Sequence, residues 1–148
     1  MSKTRDVFEK MLKWHEQEKQ VKTKEYQQAL TFFEETATKL YELLRKKEEQ
    51  EGKDTEALRA GVPVLHLQHH GKVMKFIHQD IHTLTVETNK ARSKMDTAKE
   101  ELTVSFQEFK KYEKLLEKKK EEETKLTKQT DAKLMDELSA RAFVFNGN

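Results

Sequence analysis

The chain has 148 residues, of which 38% are charged and only 34% hydrophobic, with a net charge of +2. Ordinary globular domains run near ~25% charged and ~45–50% apolar, so there is too little apolar material here for a compact multilayer core. Four glycines, one proline and no cysteine exclude a sandwich or α/β fold, which needs a turn signal every ~8–12 residues, and exclude disulfides, thiolate zinc sites and cysteine nucleophiles.

The first predicted element is a helix over about residues 3–50. Ser2 or Thr4 can cap its start, and Asp6 falls in its first turn. Its apolar stripe reads Phe8, Leu12, His15, Lys19, Lys22, Tyr26, Leu30, Phe33, Ala37, Leu40 and Leu44. The spacing alternates between three and four residues, with one stutter near Tyr26. Lys19 and Lys22 interrupt the seam and would snorkel or set register. Val7, Met11, Trp14 and Val21 make a second stripe beside the first.

Gly52 is the expected stop, and residues 51–62 form the expected connection, with one helical turn at most in TEALRA. Pro63 suits the first turn of the next helix.

The second predicted helix spans about 63–140, followed by a flexible tail at 141–148. Its seam is Leu67, His70, Met74, Ile77, Ile81, Leu84, Thr88, Ala91, Met95, Ala98, Leu102, Ser105, Phe109, Tyr112 and Leu116. The steps alternate three and four without a break, the mark of a coiled coil. Two helices of about 48 and 77 residues would be ~72 and ~115 Å long. A short connection makes them antiparallel neighbours. The expected architecture is therefore one all-α domain, a long antiparallel two-helix coiled-coil rod whose second helix is the longer. Folding about 51–62 sets Leu44 near His70, Leu12 near Leu102, and Lys19 and Lys22 opposite Ala91 and Met95. Helix 1 then runs out opposite Ser105, leaving Phe109, Tyr112, Leu116 and the residues after them unpartnered. An apolar stripe with nothing opposite it binds a partner, self-associates or frays.

Little in the chain points to chemistry. His66/His70 and His78/His82 are i,i+4 pairs, but no metal motif completes either. There is no phosphate-binding loop and no nucleophile motif, and a two-helix rod rarely encloses a pocket. No catalytic residue, cofactor or metal is expected. The 24 lysines and 5 arginines are nearly balanced by 27 acids, which argues against nucleic acid. No apolar run is long enough for a signal peptide or membrane span. The run Lys118–Glu123, KKKEEE, reads as a solvated face. Val73 and Phe76, off the main seam or at its edge, form a candidate contact patch near the connection.

The stretches KEYQQALTFFEETATKLYELLRKKE (24–48), LRAGVPVLHLQHH (58–70), KKYEKLLEKKK (110–120) and MDELSARAFVFNGN (135–148) resemble the FliJ family of flagellar export proteins, in co-linear order over nearly the whole chain. The resemblance implies a soluble, non-enzymatic component of the bacterial flagellar type III export apparatus, similar in form to the central stalk of rotary ATPases. Its implied partners are the hexameric flagellar export ATPase, the cytoplasmic domain of the membrane export gate and the export chaperones of late substrates. The implied location is the cytoplasm, at the inner face of the membrane beneath the flagellum, without membrane insertion. Carried onto this chain, the gate-contacting surface falls on Val73, Phe76, Ile77, Asp80 and Leu84. The ATPase-ring surface falls on Phe8, Met11, Trp14, Phe109, Tyr112 and Leu116. An export chaperone or escort binding unfolded substrate, and a self-associating coiled-coil scaffold, remain alternatives.

Overall fold

A computed structural model describes residues 3–146. Two helices account for all of them except residues 61–63: α1 is Lys3–Ala60 and α2 is Val64–Asn146. The helices pack against each other, and α2 is the longer. By contacts the chain divides into two units, Met1–Gln20 with Val104–Asn148, and Val21–Thr103.

Both helix ends differ from the sequence expectation. Helix α1 does not stop at Gly52 but runs through it to Ala60. Glycine inside a helix costs roughly 1 kcal/mol relative to alanine, and its surroundings offset that here. Lys47 pairs with Glu51 at 3.9 Å, Gln50 donates to Asp54 at 3.3 Å, and the Thr55 hydroxyl donates to the Glu51 carbonyl at 2.9 Å. The expected connection over 51–62 shrinks to three residues. Gly61 ends α1, with φ at 76° and its N–H donating to the Leu58 carbonyl at 3.4 Å. Only glycine takes that left-handed conformation without a Cβ penalty. The Pro63 carbonyl then accepts from His66 N–H at 3.0 Å and opens α2. The segment expected as a flexible tail is helical to Asn146; Gly147 and Asn148 lie outside the described residues. Ser2 does too, and Thr4 is already inside α1.

In the unit Val21–Thr103 the helices run antiparallel. Asp54 meets His70, Phe33 meets Arg92 and Lys22 meets Glu101. The less exposed positions of α2 are those of the expected seam, from Leu67 to Leu102. On α1 they fall at Lys22, Tyr26, Ala29, Phe33, Thr36, Leu40, Leu43, Lys47, Gln50, Asp54 and Ala57. That ladder alternates three and four without interruption, so the stutter near Tyr26 does not exist. It arose from preferring Leu30, Ala37 and Leu44 to their neighbours. Thr36 is buried, whereas Leu44 is exposed. The Thr36 hydroxyl donates to the Phe33 carbonyl at 3.0 Å, and that of buried Thr88 to the Leu84 carbonyl at 2.6 Å. Each polar group is satisfied within its own helix, which lets threonine occupy a seam position.

The unit Met1–Gln20 with Val104–Asn148 continues the same pattern. Lys19 meets Phe109, His15 meets Tyr112 and Arg5 meets Glu123. The pairing is thus displaced from the expected one, by about three helical turns in the unit Val21–Thr103 and nearly four here. Lys19 lies opposite Phe109 rather than Met95, and α1 reaches Glu123 rather than running out at Ser105. The physical reason is the position of the turn. Moving the reversal from Gly52 to Gly61 lengthens α1 and shifts every partner along α2.

Candidate interaction surfaces

In the unit Met1–Gln20 with Val104–Asn148, four of the six expected ring-contact residues are seam residues: Phe8, Phe109, Tyr112 and Leu116. Leu116 is 6% exposed. The His15 and Tyr112 rings stack at 4.5 Å with 15° between planes. The Lys19 ammonium sits 4.2 Å from the Phe109 ring centre and 5.9 Å from that of Phe106. A cation over an aromatic face keeps its charge with part of its stem buried, which is how this seam tolerates a lysine. Phe109, Tyr112 and Leu116, expected to be unpartnered, are all covered within this unit. Phe8 is half-buried in the same seam, and Met11 is half-buried beside it. Trp14 is exposed, its ring edge-on to His15 at 4.8 Å.

The charge run is partly absorbed by the same packing. Lys119 and Glu123 are half-buried, whereas the other members of 118–123 are exposed. Glu123 accepts from the Arg5 guanidinium at 3.3 Å through one carboxylate oxygen, and its other oxygen is buried without a hydrogen bond. From 124 to 146 every residue is exposed. This later stretch carries Leu126, Leu134, Met135, Leu138, Phe143 and Phe145 as large exposed apolar side chains. Sequence reasoning placed them beyond helix 1 but did not select them. Their signal was present in the thinning of apolar residues from the seam phase after Leu116, where Lys119, Glu123, Leu126, Thr130 and Lys133 follow, one apolar residue in five.

In the unit Val21–Thr103, the five expected gate-contact residues divide by face. Ile77 and Leu84 are half-buried on the seam, Val73 is half-buried at its edge, and Phe76 and Asp80 are exposed. Asp80 and Leu84 line a groove with Lys39, Glu42, Leu43 and Lys46 of α1. Phe76 is thus the one large apolar side chain of the five that is free of the seam.

The histidines near the turn separate in the same way. His70 is held by α1, with Nδ1 at 2.8 Å from the Asp54 carboxylate and 2.6 Å from the Gln50 amide nitrogen. His66, one turn earlier, lies edge-on to it at 5.4 Å. Among the described residues no group of three or more His, Asp or Glu side chains is arranged to hold a metal ion. Lys22 is bonded to Glu101 at 3.2 Å and Glu25 at 3.3 Å. These bonds, that to Glu101 foremost, hold its ammonium charged above the ordinary value of 10.5. No helix among the described residues is long and apolar enough to cross a membrane.

A family model described as "Flagellar FliJ protein" matches residues 4–148. A flagellar FliJ protein of Bacillus subtilis (strain 168) is 32% identical over 141 residues, covering 95% of this chain and 96% of that protein. No solved structure matches the chain. A match running through both helices and the turn between them, with a relative of nearly the same extent, leaves one assignment: the chain belongs to the flagellar FliJ protein family.

Proposed function

We propose that the protein is a non-catalytic stalk and regulator of the hexameric flagellar export ATPase, and that it links this ATPase to the cytoplasmic domain of the membrane export gate. Family membership supports a flagellar export role. The observation that carries the finer reading is the exposed apolar stretch of 124–146, in the same unit as the start of α1. Leu134, Met135, Leu138 and Phe145 have no cover within the chain, so a partner gains their burial without dismantling the seam. Trp14 and Met11 add an apolar flank in that unit. Phe76, free of the seam, is the first candidate for the gate. Binding of late-substrate export chaperones would use the same uncovered stretch and compete with the ATPase for it.

The test is a titration of the full chain into its cognate export ATPase, following hydrolysis and ring formation together. The wild type should accelerate both. Leu134→Ser with Leu138→Ser should abolish the acceleration while leaving helicity unchanged, because neither side chain supports the seam. If the wild type changes neither hydrolysis nor ring formation while the ATPase is active alone, the stalk reading fails.

A further inference from the structure

The turn end of the unit Val21–Thr103 has a property that neither the seam nor the family assignment uses. Between Glu56 and Asp80 there is no carboxylate, in a chain with 27 acidic residues. The cations in this interval are Arg59, Lys72 and Lys75, all exposed. The acids nearest in sequence are Glu56 and Asp54 on the Arg59 side, the latter engaged with His70, and Asp80, five residues beyond Lys75. Beside these cations stand apolar side chains with no cover: Leu58 is 60%, Val64 70% and Leu65 79% exposed. Val64 and Leu65 occupy the first turn of α2, directly after the chain reversal. Leu65 and Lys72 are seven residues apart, hence on one helix face. At 1.5 Å per residue, Lys72 lies ~10 Å back from Leu65 along the helix axis.

We propose that this turn end docks on an anionic phospholipid surface. Leu58, Val64 and Leu65 enter the headgroup layer end-on, while Arg59, Lys72 and Lys75 meet the lipid phosphates. Uncovered apolar side chains at the turn with cations behind them along the helices are recognised by partition and charge, and a headgroup layer supplies both at once. The ~10 Å between Leu65 and Lys72 matches the depth over which such contacts work, because a lysine stem can reach along the helix to the phosphates. The contact is interfacial and needs no membrane span. It does not depend on the ATPase reading.

The experiment is co-sedimentation of the full chain with phosphatidylcholine vesicles and with phosphatidylcholine–phosphatidylglycerol vesicles, at low ionic strength. Binding to the anionic vesicles should exceed that to the neutral ones by about tenfold and should fall as salt is added. Val64→Ser with Leu65→Ser, and separately Lys72→Glu with Lys75→Glu, should each reduce it by about tenfold. Lys128→Glu, in the other unit, should leave it unchanged, and circular dichroism should show equal helicity in all variants. Absence of binding to anionic vesicles overturns the proposal. So does binding that is lost with Lys128→Glu but kept in both turn-end variants. If soluble polyglutamate binds with the same dependence on Leu65 and Lys72 while vesicles do not, the surface reads an acidic protein and the lipid assignment is wrong.

Discussion

Replacing Leu116 by alanine separates the two possible registers. If α1 ran out opposite Ser105, Leu116 would be an uncovered residue and the change would be nearly neutral. In the structure it is 6% exposed, between the His15–Tyr112 stack and the Arg5–Glu123 pair. Truncation removes the equivalent of three buried CH₂ groups at ~0.8 kcal/mol each, about 2.4 kcal/mol in all. The additional cavity cost seen in globular cores should be small, because a two-helix seam is open to solvent at its edges and can close. Leu115, the adjacent residue, is 38% exposed, so Leu115→Ala should cost less, about 1.5 kcal/mol on the same scale. For a chain of this length, 2.4 kcal/mol corresponds to a Tm lowered by about 7 °C. Thermal unfolding followed by circular dichroism measures both variants. Amide exchange should locate the loss in the unit Met1–Gln20 with Val104–Asn148, which also guards against unfolding that is not two-state. A Leu116→Ala variant as stable as wild type, or a Leu115→Ala variant that costs more, would refute the register.

Two further outcomes follow from the turn and from the lysine in the seam. Gly61→Ala should destabilise by about 1–2 kcal/mol because its φ is positive, whereas Gly52→Ala should stabilise by about 1 kcal/mol, since it is helical and a Cβ there meets nothing within 4 Å; chemical denaturation of the two variants should give opposite signs. Lys22 is held charged above 10.5 by Glu101 and Glu25, so the stability it contributes is fully present below that pH and is lost as pH rises beyond it. The Tm difference between wild type and Lys22→Gln should therefore be constant through neutral pH and shrink above about 10.5.

The seam of α2 was readable because its period is local. From Leu67 to Leu116 the apolar residues recur at three and four with few rivals, and those same positions are half-buried or buried in the structure. The seam of α1 was less readable because it offers rivals side by side: Ala29 with Leu30, Thr36 with Ala37, Leu43 with Leu44. Hydrophobicity favours the second or neither of each pair, and only the facing helix selects the first. The interaction surfaces suffered from the same gap. The apolar pattern singles out Phe109, Tyr112 and Leu116, whereas Leu126, Leu134, Leu138 and Phe145 are uncovered. Exposure is a property of what lies opposite, and no local pattern carries it.

Local pattern is enough for the class: two amphipathic helices, one connection, no multilayer core, and a second helix that outlasts the first. Composition and a 3.5-residue period suffice for that, since both act within a few turns of one helix. Which glycine reverses the chain depends on packing between the helices. Gly52 and Gly61 are both locally acceptable ends, and continuing to Gly61 gains pairings at Gln50 and Asp54 against His70. That choice sets the register along the hairpin, and with it which apolar residues are core and which are left to meet a partner.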